Sequence, residues 1–138
     1  MTDSSNLDLV RSIFARWEHG DYSSVAWAHP QIEFVICDGP SPGTWSGVAG
    51  MTHGYREVMN AWEGYGGTAE AYRELDNERV LVLIHLTGRG KTSGVDLAQV
   101  QPNGAGIFHV RADKVTKIVL YWDRDRALAD LGTPPEGE

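Results

Sequence analysis

Asp38, Tyr55 and His85 are the side chains of this sequence whose types and settings suit acid–base work. Asp38 follows Ile32, Phe34 and Ile36 by even steps. On a regular strand these four share one face, so the carboxylate would stand at the edge of an apolar surface. Burial there disfavours the charged form and raises a carboxyl pKa. That suits a general base, a role worth about 10²–10⁴-fold in rate. The competing reading is an Asx-turn that caps the following Gly39-Pro40 loop. His85 interrupts the apolar run from Val80 to Leu86, on the face of Leu81 and Leu83. It is either a pocket base near neutral pH or a hydrogen-bonded histidine in a core or subunit interface. Tyr55, on the apolar stripe of a helix, is the best placed of the tyrosines (Tyr22 and Tyr121 are the others considered) to offer a hydroxyl to a pocket.

Aromatic and flexible apolar residues form a second set. Trp17, Phe34, Met59, Trp62, Phe108 and Trp122 are the expected lining of a hydrophobic cavity for a small, flat, apolar molecule. Trp122 shares a face with Ile118 and Leu120, and Trp45, at a loop edge, is placed to act as a lid. No cofactor or metal is expected. His19, His29, His53, His85 and His109 have no ligand spacing beyond His53 and Glu57, one helical turn apart. The single cysteine, Cys37, excludes an internal disulfide framework and a multi-cysteine zinc site. Gly88-Arg89-Gly90-Lys91 lacks the phosphate-loop spacing and a following helix. Asp123 reads as a helix cap.

The elements that must position these residues follow from periodicity. Leu7, Val10, Phe14 and Trp17 recur at helical spacing with Ile13 alongside, after Ser5 and Asp8 at capping-box spacing. Gly20 ends this helix, and Asp21 opens a short second one with Tyr22, Val25 and Trp27, stopped by Pro30. Gln31 to Cys37 alternates as a strand. After the loop 39–43 comes a helix bearing Val48, Met51, Tyr55, Val58, Met59 and Trp62. Gly50 and Gly54 weaken it and suggest close packing, and Gly64, Gly66 and Gly67 end it. Strands are predicted at Ala69 to Leu75, Arg79 to Thr87, Val95 to Val100, Gly106 to Arg111 and Val115 to Trp122. Turns or bulges fall at 88–94 and 102–104, and a short helix runs from Asp123 to Gly132.

Helices in front and strands behind mean an α+β domain. The simplest packing is one curved antiparallel sheet whose concave face is closed by the helices, leaving a conical cavity. The apolar residues on both faces of Val80 to Leu86 suggest a homodimer through the outer sheet face. The chain has 138 residues, one domain by length, with an ordered core over about 5–131 and a loose tail at 133–138. Its net charge of −7 argues against nucleic acid and anionic membranes as partners. The first residues lack a basic region followed by an apolar run, and the expected setting is cytoplasmic.

The order of these features resembles the nuclear transport factor 2-like superfamily, and within it the SnoaL-like and ketosteroid-isomerase-like branch. The resemblance rests on Trp17-Glu18-His19-Gly20-Asp21, Ile32-Glu33-Phe34, Trp45-Ser46-Gly47, the strand Val115 to Asp123 with its Tyr121-Trp122 pair, and the run Asp123 to Leu128. It implies a cone-shaped curved sheet with N-terminal helices over its concave face, the cystatin-like arrangement. It also implies a proton-abstracting Asp at the end of the first strand, where Asp38 stands. The superfamily hosts isomerases, cyclases, dehydratases and non-catalytic proteins, so fold alone does not fix an activity. Two donors of the isomerase-like members are replaced here, the tyrosine by Ile13 and the late-strand aspartate by Gly106, which argues against steroid isomerisation. The strand Arg79 to His85 holds no paired carboxylates and Leu120 stands where an epoxide-hydrolase-like aspartate would be. The expected function is a small-molecule pocket. The alternatives are acid–base chemistry on a small cyclic substrate and a dimeric interaction module.

Overall fold

Val10, Ile13 and Phe14 are buried on one face of the first helix, α1 (Ser5–Glu18), and the half-buried Trp17 continues the stripe one turn on. The structure, a computed structural model, describes residues 5–19, 26–38, 42–91, 94–100 and 102–132, and within them nothing is described of the side chains of Ser5, Tyr65, Ala98 and Val100. The expected short helix after Gly20, with Asp21 and Tyr22, lies outside these residues as far as Val25. Its described remainder is not helical: Ala26 and Trp27 form a turn that enters the first strand at Ala28, so Pro30 lies in a strand. Residues 39–41 and the tail at 133–138 also lie outside.

Strand β1 (Ala28–Ile36) buries Ile32, Phe34 and Ile36 in alternation, as the period-2 pattern requires. It pairs with a short edge strand, β2 (Gly43–Ser46), which leads directly into α2 (Gly47–Ala61). Then come β3 (Trp62–Glu74), β4 (Arg79–Gly90), a single-turn helix α3 (Leu97–Val100), β5 (Asn103–Arg111), β6 (Lys114–Tyr121) and α4 (Arg124–Asp130). The six strands form one sheet in the order β2-β1-β6-β5-β4-β3, antiparallel except where β1 runs parallel to β6. The sheet is strongly curled into a half-barrel, with helices packed over it.

Alternation splits β4 cleanly. Val80, Val82, Ile84 and Leu86 join the main core with α1 and α2, together with Phe108 and Ile118. Leu81 and Leu83 join a second cluster on the opposite face with Ala105, Ile107, Tyr121 and the α4 residues Ala127 and Leu128. Asp123 caps α4 as expected, its carboxylate accepting from the backbone N–H groups of Asp125 and Arg126. Leu81 and Leu83, on the outer sheet face, are thus buried within the chain itself, in one cluster with residues of α4. Val95, at 38% exposure, is the large hydrophobic residue left open among the described residues.

Several local expectations give way to strand pairing. Gly64, Gly66 and Gly67 do not end a helix but lie inside β3, and Gly88 to Gly90 continue β4 rather than turning. The two strands pair from Glu74 opposite Val80 out to Trp62 opposite Gly90, and this long hairpin overrides glycine's poor strand propensity. The expected strand at Val95 to Val100 is instead a bridge at Asp96 opposite Arg89, followed by α3. Trp45 lies in β2, opposite Phe34.

Candidate functional site

Helix α2 lies over β1, and its periodicity sends two adjacent stripes toward the same space. Met51, Tyr55 and Met59, spaced i, i+4, i+8, are the apolar stripe; Thr52, Arg56 and Asn60, one residue on, are the polar one. Opposite them stand Trp17 from α1, Trp27, Phe34 from β1, and Ile118 and Leu120 from β6. Together these residues enclose a cavity of about 430 Å³. Four of the walls are aromatic. Trp17 stacks on Tyr55 at 6.1 Å between ring centres and meets Trp27 edge-on at 5.9 Å. Phe34 meets Tyr55 edge-on at 6.3 Å. Contacts of this kind fix ring orientation as well as burying area. Arg56 is the charged side chain of the lining.

A second, much smaller pocket of about 40 Å³ lies across Trp17, Tyr55 and Leu120, which wall both spaces. Phe14, Ile84, Leu86 and Trp122 complete most of it. Trp62 is outside both linings, packed on Trp122 at 5.6 Å. Phe108 is fully buried beneath Phe14 and Trp17, so it supports the cavity from behind. Of the expected lining residues, Trp17, Phe34 and Met59 border the larger cavity, and Trp122 the smaller. Trp45 is a buttress and not a lid. Its ring lies 5.8 Å from Phe34 and sits over Gly54, where an added Cβ would come within 2.6 Å of the indole.

The three candidate acid–base residues are not brought together. The last residue of β1 is Ile36, so the even-step argument that aimed Asp38 inward stops two residues short of it. The Asp38 carboxylate instead crosses to the end of β6. It accepts the backbone N–H of Trp122 at 2.6 Å and that of Asp123 at 3.3 Å. With Cys37 N–H donating to Leu120 O at 3.0 Å, this ties the end of β1 to the start of α4. His85 lies on the outer sheet face, because its neighbours Ile84 and Leu86 point into the main core. Its Nδ1 is 4.0 Å from Glu70 Oε2, and Glu70 is bonded in turn to Arg124. Arg124, 6% exposed, also donates to Ile84 O at 3.0 Å and Gly104 O at 3.1 Å, so this buried cation is fully engaged in holding α4 to the sheet. Tyr55 alone of the three borders the cavity.

Other titratable groups serve the frame. Burial, and a hydroxyl bonded to Asp130 at 2.9 Å, raise the Tyr121 pKa well above the usual tyrosine range. Burial raises Tyr72 as well, with Glu18 adding to it. Burial lowers His109, and the cations Lys117 and Arg79 push it the same way. Among the described residues no group of three or more His, Cys, Asp or Glu side chains is gathered as a metal site, and His53 with Glu57 is an exposed pair at 3.3 Å. No helix of the described residues is long and apolar enough to cross a membrane.

Sequence reasoning missed the polar stripe Thr52, Arg56 and Asn60. The signal was present: on a helix whose 51, 55 and 59 positions face inward, 52, 56 and 60 fall on the adjoining edge.

No family model matches this sequence, and no curated protein does. Solved structures match well. An NTF2-like protein from Burkholderia thailandensis shares 19% identity at a TM-score of 0.74, covering 97% of this chain and 100% of that one. TerC, co-crystallised with polyporic acid, shares 20% identity at a TM-score of 0.72 over 93% of this chain and 98% of its own. A candidate SnoaL-like polyketide cyclase from Mesorhizobium loti shares 15% identity at a TM-score of 0.68, over 88% and 99%. Helices over a curled sheet in this order, matched along nearly the whole chain, give this protein the nuclear transport factor 2-like fold, with SnoaL-like proteins among its structural neighbours.

Proposed function

We propose that this protein binds a small hydrophobic molecule in the cavity between α1, α2 and the β1–β6 pair. The observation that carries this reading is the cavity itself, about 430 Å³ walled by Trp17, Trp27, Phe34 and Tyr55. Spaces of this size and character suit compact organic ligands, with apolar walls giving affinity and a few polar groups giving orientation. A neighbour of the same fold, TerC, was crystallised with a small organic molecule, which supports a small ligand here.

Acid–base turnover is the weaker reading. Both Asp38 oxygens accept backbone N–H groups, and neither Asp38 nor His85 is among the residues that line the cavity. A general base must reach the proton it removes.

The test uses Nile red, a neutral apolar dye whose emission reports a dry site, and the variant Met59→Trp, which enlarges a half-buried wall residue. Native protein is expected to bind the dye, and Met59→Trp to weaken binding by about tenfold or more with its melting temperature kept, a loss of ~1.4 kcal/mol or more. Dye binding that is absent, or unaltered by a folded Met59→Trp, would overturn the reading.

A further inference from the structure

We infer that the ligand of this cavity is an acid: a flat aromatic or polycyclic body carrying one anionic group, held at the rim by Arg56. The inference rests on the cavity being a ligand pocket and adds the chemical class of the ligand.

Arg56 is the charged residue of an otherwise apolar and neutral lining. Its side chain is exposed and makes no hydrogen bond or ion pair with the described residues. The reason is local. On α2 the positions three and four residues away are His53, Met59, Thr52 and Asn60, so no carboxylate stands at the spacing that brings helix side chains together. The adjacent acid, Glu57, points elsewhere and pairs with His53 at 3.3 Å. Among the described residues no acidic side chain lines the cavity, and Asp38 accepts backbone N–H groups at the far end of β1. Among the described residues, a guanidinium beside Trp17, Trp27, Phe34 and Tyr55 is thus left without a counter-charge from its own helix or from the cavity walls.

Thr52 and Asn60 flank it one turn to either side, a polar rim about 12 Å long at 1.5 Å per residue. They offer hydroxyl and amide groups to the oxygens of the same acid. Guanidinium presents paired N–H donors in a plane, which matches a carboxylate better than a neutral carbonyl. A cationic ligand would meet Arg56 as a like charge. The chain as a whole carries −7 and repels anions, so any preference for an acid over its neutral isostere must arise locally.

The experiment compares 2-naphthoate with 2-naphthamide, which share size and ring but not charge. Binding is read by quenching of tryptophan emission, since Trp17 and Trp27 are in the walls. Native protein is expected to prefer the acid by about 5–10-fold, the range of a charge-assisted contact partly open to water. Arg56→Gln should bring the acid-to-amide affinity ratio to about one, and Arg56→Glu should invert it. Arg56→Lys should retain part of it. Equal affinities in native protein, or an acid preference that survives Arg56→Gln, would overturn the acid assignment and leave the pocket standing. If neither probe binds while Nile red does, the acid assignment falls alone; if Nile red fails as well, the pocket falls with it.

Discussion

Two glycines of α2 should respond in opposite ways to the same substitution, and the difference measures how tightly Trp45 is held. Ala in place of Gly inside a helix is worth about 0.8–1 kcal/mol of propensity, and that gain is common to Gly50→Ala and Gly54→Ala. The space is not common. At Gly50 the nearest atom to an added Cβ is Trp45 Cβ at 3.5 Å, an ordinary contact. At Gly54 the indole atoms Cδ2, Cε2 and Cε3 would lie at 2.6, 2.8 and 2.9 Å. The ring cannot simply swing aside, because Phe34 faces it at 5.8 Å and the backbone of Gly43 lies close enough that an added Cβ there would come within 3.0 Å of its Cη2. Overpacking of this kind costs about 1–3 kcal/mol. Gly50→Ala is therefore expected to be about 1 kcal/mol more stable than the native protein. Gly54→Ala is expected to be up to about 2 kcal/mol less stable. Urea melts read as midpoints with a constant slope give both numbers. The pair Gly54→Ala with Trp45→Leu should recover most of the loss. If Gly54→Ala is stabilised as much as Gly50→Ala, the buttress is loose and the account of the cavity's rear wall is wrong.

Three further outcomes follow from the frame around the cavity. His109 has its pKa lowered in the folded protein by burial and by Lys117 and Arg79, against smaller opposing effects of Asp76 and Glu78. The unfolded chain thus binds the proton first, and stability should fall as pH drops below about 6.5. His109→Gln should flatten that limb in melts recorded from neutral to mildly acidic pH, and an unaltered limb would exclude His109 as its source. Asp38→Ala should cost about 1–3 kcal/mol by stranding the Trp122 and Asp123 N–H groups, while dye binding in the cavity stays near native; a neutral effect on urea midpoints would count against the clasp. Arg124→Met should cost about 3–5 kcal/mol because it leaves two buried carbonyls without their donor, whereas Glu70→Gln, which removes the counter-charge but keeps an amide oxygen to accept from the guanidinium, should cost about 1–2 kcal/mol. Comparable losses in the two variants would contradict this division.

What the sequence makes legible divides along physical lines. The stripe Val10, Ile13, Phe14 and Trp17, the alternation of Ile32, Phe34 and Ile36, and the Asp123 cap are local patterns, and each predicts its element within a few residues. The glycine-bearing ends of β3 and β4 are set by cross-strand partners at the open end of a long hairpin, and β2 and α3, 4 residues each, are too short to carry a period, so local propensity points elsewhere. The same distinction separates the site residues. Trp17, Phe34, Tyr55 and Met59 reach the cavity because each sits within a regular helix or strand. Asp38 misses it because regularity ends at Ile36, and His85 because alternation leaves its face undecided until the register of β4 against β5 is known.

Gly106 and Ile13, the positions at which the sequence resemblance would place donors, both stand in the apolar interior beside the smaller pocket. Gly106 points its missing side chain inward, where a Cβ would meet Leu120 at 3.2 Å, Phe108 at 3.3 Å and Ile84 at 3.4 Å. Ile13 is 1% exposed in the same main core. The region that would hold a donor pair is therefore filled by apolar side chains, and an aspartate there would bury a carboxyl without a partner. Only about 40 Å³ remains open beside it, in the pocket bordered by Ile84 and Leu86. The larger space lies on the other side of Trp17, Tyr55 and Leu120, against α2. With the deep region filled and the open space set against α2, Thr52, Arg56 and Asn60, not a buried acid, are the polar side chains that line the cavity beside Tyr55 among the described residues.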